Sequence, residues 1–99
     1  MRLVKIPLVL EVRIPIPSVA VSILRDNTVL IAFSERVEGF TEQSIVIVGG
    51  SLENFSGNGQ QFLVDVLRTD TETAATISVP AGVATHSGQL NTASNVLVV

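Results

Sequence analysis

Residues 44–68 read SIVIVGGSLENFSGNGQQFLVDVLR, and the first and last runs of this stretch alternate strictly between two faces. Ile45 and Ile47 fall on one side of the first run; Phe62, Val64 and Val66 fall on one side of the last. A period of two belongs to an extended strand, because a helix would need its apolar positions three and four apart. Between the weaker run SLENF (51–55) and QFLVDVLR (61–68), the segment Ser56-Gly57-Asn58-Gly59 contains Asn-Gly, a strong short-range signal for a tight hairpin turn. No helix follows it that would present amides to a phosphate, so it reads as a turn and nothing more.

The same pattern extends in both directions. SVAVSIL (18–24), TVLIAFSE (28–35), ATISVP (75–80) and SNVLVV (94–99) are β-branched runs, separated by RDN, ERVEGFTEQ, TDTET and AGVATHSGQLN, which carry turn and loop chemistry. Alternation assigns Val19, Val21, Ile23, Val29, Ile31, Phe33, Ile77 and Val79 to the inward faces, together with the five residues named above. Six or seven short strands with a turn every ~8–12 residues predict an all-β antiparallel sandwich of two sheets. The opposite faces are not cleanly polar, since Leu30, Ala32, Val46, Val48, Leu63 and Leu67 alternate outward. Of these, Val46, Val48, Leu63 and Leu67 are expected to form a sheet face covered by another chain.

Composition sets the outer limits. The 99 residues are 46% hydrophobic and 15% charged, which is one apolar domain with few charges to keep it dissolved alone. The absence of Cys removes any disulfide frame, thiolate nucleophile or cysteine zinc site. A net charge of -3 with six scattered basic residues offers no footprint for nucleic acid. The opening MRLVKIPLVLEV has the basic start and aliphatic run of a signal peptide, but Glu11, Arg13, Pro15 and Pro17 interrupt it and no small-residue cleavage site closes it, so it is read as mature protein. No run approaches the ~18 apolar residues of a membrane span, and no membrane partner is expected.

From about residue 29 to 94 the chain resembles the bacterial immunoglobulin-like repeats. The resemblance rests on Phe33-Ser34-Glu35, Val37, Gly39-Phe40-Thr41, Gly50, Asn54-Phe55-Ser56-Gly57, Gly59, Pro80-Ala81-Gly82 and Asn91-Thr92-Ala93-Ser94, in that order. The glycines suit turns that need φ > 0, and the phenylalanines supply large core bodies to a chain without Trp or Tyr. The resemblance implies an immunoglobulin-like sandwich in a bacterial surface protein or a phage virion protein. Two positions depart from the repeat. Arg36 stands where a proline is usual, and His86-Ser87-Gly88-Gln89-Leu90 replaces an Asp-x-x-Gly-Asn run. The acidic and amide oxygens of that run are missing here, so calcium is not expected.

Catalytic chemistry has little to stand on. His86 is the single histidine, and neither a nucleophile elbow nor an oxyanion glycine pattern accompanies it to make a triad with Ser87 and Asp65 or Asp70. Asp70 and Glu72 are two carboxylates without a third ligand at loop spacing, so they read as a solvated turn. Asn54-Phe55-Ser56 is formally a glycosylation sequon, read as idle in a bacterial or viral setting. No catalytic residue, cofactor or metal site is expected.

Residues 1–17 precede this domain and differ from it. In KIPLVLEVRIPIP (5–17) every even position from Ile6 to Ile16 is aliphatic, and with Val4 the stripe comprises Val4, Ile6, Leu8, Leu10, Val12, Ile14 and Ile16. Pro7, Pro15 and Pro17 remove donors from the odd-residue edge, leaving the even-residue edge free to pair. Burying seven aliphatic side chains does not outweigh the entropy of ordering so long a segment by itself. The division is therefore an extended N-terminal arm (1–17) and a sandwich (18–99), with the arm adding to a sheet edge of a neighbouring subunit, in preference to folding back as an edge strand of its own sandwich. The functional expectation is a non-enzymatic small bacteriophage virion subunit, a capsid decoration or cement protein on the virion surface, assembling with itself or with other virion proteins. The alternative is a spacer or ligand-binding repeat of a bacterial surface adhesin, at the cell surface or secreted.

Overall fold

The computed structural model describes residues 14–99. In chain order the strands are β1 (Val19–Arg25), β2 (Thr28–Phe33), β3 (Val46–Val48), β4 (Gly50–Asn58), β5 (Gln61–Arg68), β6 (Thr76–Ser78), β7 (Thr85–His86), β8 (Gln89–Leu90) and β9 (Leu97–Val98), with one 3₁₀ turn at Glu42–Ser44. They form a four-stranded sheet ordered β1-β2-β5-β4, a three-stranded sheet ordered β3-β6-β9, and a small β7-β8 hairpin, all antiparallel. Four strands facing three in this order is the arrangement of a constant-type immunoglobulin sandwich. The extra hairpin occupies the connection between β6 and β9.

The run 44–50, which looks continuous in sequence, is divided between the sheets. β3 ends at Val48 in one layer and β4 begins at Gly50 in the other, so Gly49, at φ 78, carries the chain across in a conformation few side chains tolerate. The β4–β5 hairpin forms as expected, but Asn58 pairs with Gln61, so Gly59 and Gln60 make the turn, one residue later than Asn-Gly suggests. The loop around His86 is more regular than its sequence indicated. Ser87 (φ 47) and Gly88 (φ 82) are both left-handed, which is the geometry of a two-residue type I′ hairpin.

The inward faces meet in one core containing Val19, Val21, Val29, Ile31, Phe33, Ile45, Phe62, Val64, Val66, Ile77 and Val79, to which Val37, Phe40, Ala75 and Ala84 are added from connecting segments. Ile23 is the exception to the alternation reading, being half exposed next to a register shift between Ile23 and Arg25 on the outermost strand. All four phenylalanines gather in the core: Phe40 lies 4.8 Å from Phe62 and 5.0 Å from Phe33 between ring centroids, and Phe55 stacks on Phe62 at 5.7 Å. Such contacts explain how a chain without Trp or Tyr fills the wide end of its sandwich.

Asn91 is the buried polar residue of this core, 3% exposed. Its Oδ1 accepts the N–H groups of Val83 and Ala84, both at 2.9 Å, while Nδ2 donates to the carbonyls of Pro80 (3.1 Å) and Thr92 (2.9 Å). Every capacity of one amide is used to fold the 80–84 loop against the segment leading to β9. Three and four residues further on, Ser94 and Asn95 shorten the expected last strand, because their side chains take backbone partners. Ser94 Oγ accepts Val79 N–H, and Asn95 spans to β1, accepting from Val21 N–H and donating to Val21 carbonyl, each at 3.0 Å. On the outer face of the four-stranded sheet, Asp65 accepts from Thr28 Oγ1 at 2.6 Å and from Asn54 Nδ2 at 2.9 Å, tying β2, β5 and the bulge of β4 together.

Strand directions place the two ends of the described chain apart. Pro17 is buried and its carbonyl accepts Thr92 N–H, at the end of the sandwich where Val19 pairs with Phe33. Val99 exchanges hydrogen bonds with Ala75 at the other end, beside Val98 and Thr76.

Three outcomes follow from this packing. Asn91→Ala leaves two buried N–H groups without partners and is expected to cost about 2–4 kcal/mol in urea unfolding, with the denaturant slope unchanged. Gly57→Ala places a Cβ 2.4 Å from the Gln61 carbonyl oxygen, whereas at Gly82 a Cβ meets nothing within 4 Å, so Gly57→Ala should lower the melting temperature well beyond Gly82→Ala, although both have positive φ. The hydrogen bonds from Thr28, then Asn54, hold the Asp65 carboxyl below its ordinary value. A depressed folded value means the stabilisation is complete above the unfolded value and is lost as pH falls through the folded one. Asp65→Asn should therefore be less stable than the parent at pH 7, with the difference closing at strongly acidic pH in thermal melts.

Candidate interaction surface

Sheet parity decides which aliphatic residues reach the surface. Val46 and Val48 point to the outer face of the three-stranded sheet, and Leu63 and Leu67 to the outer face of the four-stranded sheet. The four residues expected to make one face therefore lie on opposite sides of the molecule. The physical reason is the crossing at Gly49, which alternation along each strand cannot register.

The two outer faces differ in chemistry. On the four-stranded sheet Leu63 is half-buried beside Leu30, and the face continues through Ser51, Glu53 and the hydrogen-bonded Asp65. On the three-stranded sheet Val48, Thr76 and Val98 form one row across all three strands, and Val46 stands opposite Ser78. Val48 is 61% and Val98 60% exposed, with Val46 and Val96 also open. None of these outward residues is charged. Val96 and Val98 were not among the residues expected to make contacts, although the alternation of SNVLVV contained the signal.

Of the arm stripe, Val4, Ile6, Leu8, Leu10 and Val12 lie outside the described residues. Ile14 and Ile16 are described and are 40% and 60% exposed. Ile16 is thus mostly uncovered and Ile14 partly so. Pro17, by contrast, is fully buried, so the segment is joined to the domain at its last residue.

The two departures from the repeat pattern meet in space. His86 Nδ1 lies 2.7 Å from the Arg36 carbonyl oxygen; a carbonyl only accepts, so the ring carries a proton on Nδ1. Nε2 is 4.0 Å from a Glu35 carboxylate oxygen. The Arg36 side chain covers Gly59, where a Cβ would come within 2.8 Å of its guanidinium carbon. The β7-β8 hairpin is thus fastened to the segment after β2, which the Glu38–Thr85 bridge reinforces. A cleft of about 420 Å³ opens beside Arg36 and Gly59, with Phe40 and Phe62 at its floor.

No acid–base or nucleophile pair forms from the candidates considered. His86 engages Arg36 and Glu35, while Asp65 engages Thr28 and Asn54. Asp70 Oδ1 accepts Glu72 N–H at 2.9 Å, closing the solvated turn anticipated for that segment. Among the described residues no three His, Cys, Asp or Glu side chains converge as metal ligands, and no helix is long and apolar enough to cross a membrane.

No curated protein and no solved structure matches the chain. A family model described as a bacterial Ig-like domain does match, over residues 9–98, taking in the whole sandwich and starting within the 1–17 segment. Domains of this kind occur in bacterial surface proteins, are generally non-catalytic and suggest a structural or surface-interaction role. With the 4+3 strand order and a match over nearly its full length, the chain belongs to the bacterial Ig-like domain family.

Proposed function

We propose that this protein is a non-enzymatic structural subunit that assembles through the aliphatic stripe of residues 4–16, as a small capsid decoration or cement protein of a bacteriophage virion. The observation that carries the reading is the exposure of Ile14 and Ile16 at the end of a stripe that continues unbroken through six even positions. Exposed aliphatic side chains such as Ile16 are stabilised by a partner that covers them. The uncharged valine face of the three-stranded sheet adds a second apolar contact surface. In this role, subunit contacts bury stripe and face together and staple neighbouring capsid subunits.

A second reading is favoured by the positions of the chain ends. Pro17 and Val99 sit at opposite ends of the sandwich, which suits domains linked in a row as spacer repeats of a bacterial surface adhesin. Light scattering on the 1–99 chain and on residues 14–99 separates the two. The truncation keeps Pro17, whose burial and hydrogen bond to Thr92 belong to the sandwich. The virion reading expects the longer chain to be oligomeric and the truncated one monomeric with an unchanged melting temperature, and expects truncation to abolish incorporation into purified particles. A monomeric 1–99 chain overturns it in favour of the spacer, and normal incorporation without residues 1–13 overturns assembly through the stripe.

A further inference from the structure

A two-sheet sandwich has two seams where edge strands of opposite sheets approach, and here they differ. At the β1–β9 seam the Asn95 amide occupies both the N–H and the carbonyl of Val21 on the outer edge of β1. That edge is capped by a side chain of its own chain. At the β3–β4 seam the hydrogen-bonding pattern can be followed residue by residue. Ala75 and Val99 exchange both bonds, so along β6 residues 75 and 77 face β9 while 76 and 78 face β3. On β3 the bonded residues are then Val46 and Val48, and the N–H and carbonyl of Ile47 point away from the sheet. By the same alternation Thr69 N–H, which donates to Gly49, puts Leu67 and Asp65 toward β4, so Leu52 opposite Val66 also turns its backbone outward. Ile47 and Leu52 are both partly buried and packed on the core. Among the described residues, this seam therefore combines backbone groups that have no hydrogen-bond partner with aliphatic side chains that the core only half covers.

We propose that the β3 edge at Ile47 is the acceptor for residues 6–16 of a second copy of this chain, which add as a new edge strand and close the open seam; this rests on the assembly reading above. Parity selects the occupant. A strand hydrogen-bonded at Ile47 through its even residues places its even side chains on the same face as Ile47, toward the core, so the aliphatic residues of the stripe that stand opposite β3 complete the layer between Ile47 and Leu52. Its odd residues then point outward, where Glu11 and Arg13 meet water. The missing N–H groups of Pro7 and Pro15 fall on the new outer edge, where they stop a further strand from pairing. Pairing at Val96 or Val98 on β9 would instead turn every aliphatic residue of the stripe toward solvent, because those side chains lie on the outer face. Ile16, the member of the stripe next to the buried Pro17, is 60% exposed, so its own sandwich does not cover the stripe there.

The chain contains no Cys, so pairs of single-cysteine variants report contacts directly. Full-length Leu8→Cys, Leu10→Cys and Val12→Cys are each mixed with full-length Ile47→Cys, or with Leu52→Cys should Ile47→Cys not fold, and Val98→Cys serves as the comparison. Oxidation is expected to give about ten-fold or more disulfide-linked heterodimer with the seam variant than with Val98→Cys for at least one arm position. Linkage to Val98→Cys instead overturns the seam assignment while leaving assembly through the arm standing. An intrachain bridge in the Leu10→Cys, Ile47→Cys double variant, or no heterodimer from a chain that light scattering shows to be monomeric, overturns both.

Discussion

The side-chain amide of Asn91 holds together the part of the molecule on which both sheets depend. Four backbone groups converge on it, from Pro80, Val83, Ala84 and Thr92, and all of them lie between β6 and β9. The Val83 and Ala84 N–H groups take this amide oxygen as their partner, so without it they would lose their hydrogen bonds. With it, the chain after β6 returns in a fixed path, and Ser94 and Asn95 arrive where they can bond Val79 and Val21. One buried polar group thereby positions the last strand against β6 and against the opposite sheet.

The Asn95 contact turns a side chain into a substitute for a strand. It satisfies the central residue of the β1 edge, which otherwise presents the same pairing hazard as any exposed edge. β4 is interrupted differently, by the register shift between Glu53 and Ser56 and the left-handed Asn54 that bonds Asp65. β3 has neither device. A short edge strand flanked by uncharged valines and lacking a cap is where the fold is least complete by itself. A segment with one aliphatic face and one proline-blunted edge complements that lack in both its side chains and its backbone.

Departures from a family pattern become informative when they touch. Arg36 and His86 are 50 residues apart and looked unrelated in sequence, yet the imidazole donates to the Arg36 carbonyl while the Arg36 side chain lies over Gly59. The region that carries acidic and amide oxygens in the repeat pattern carries here a hydrogen-bonded hairpin with Glu35 as the nearest carboxylate of the His86 ring. The local structure is held by side-chain and backbone contacts among these residues, which is a mechanical role in keeping with a structural domain.

Period-two alternation was enough to identify the strands of the two main sheets, though not β7 and β8, and most of the core, from Val19 to Val79, because side-chain direction in a strand is a local property of the backbone. The Asn-Gly dipeptide located a hairpin to within one residue, since turn preferences are also local. Alternation failed at Ile23, where an edge position and a bulge remove the cover that parity assumes, and it had no means of dividing 44–50 between two sheets. Which aliphatic residues share a face was decided only in three dimensions: Val46 and Val48 were joined by Val96 and Val98 and separated from Leu63 and Leu67. The capping of one seam by Asn95, 74 residues from its partner Val21, belongs to the same level. Residue spacing determines which way each side chain points, but sheet order and seam closure depend on hydrogen bonds between distant segments, and those exist only once the chain has folded.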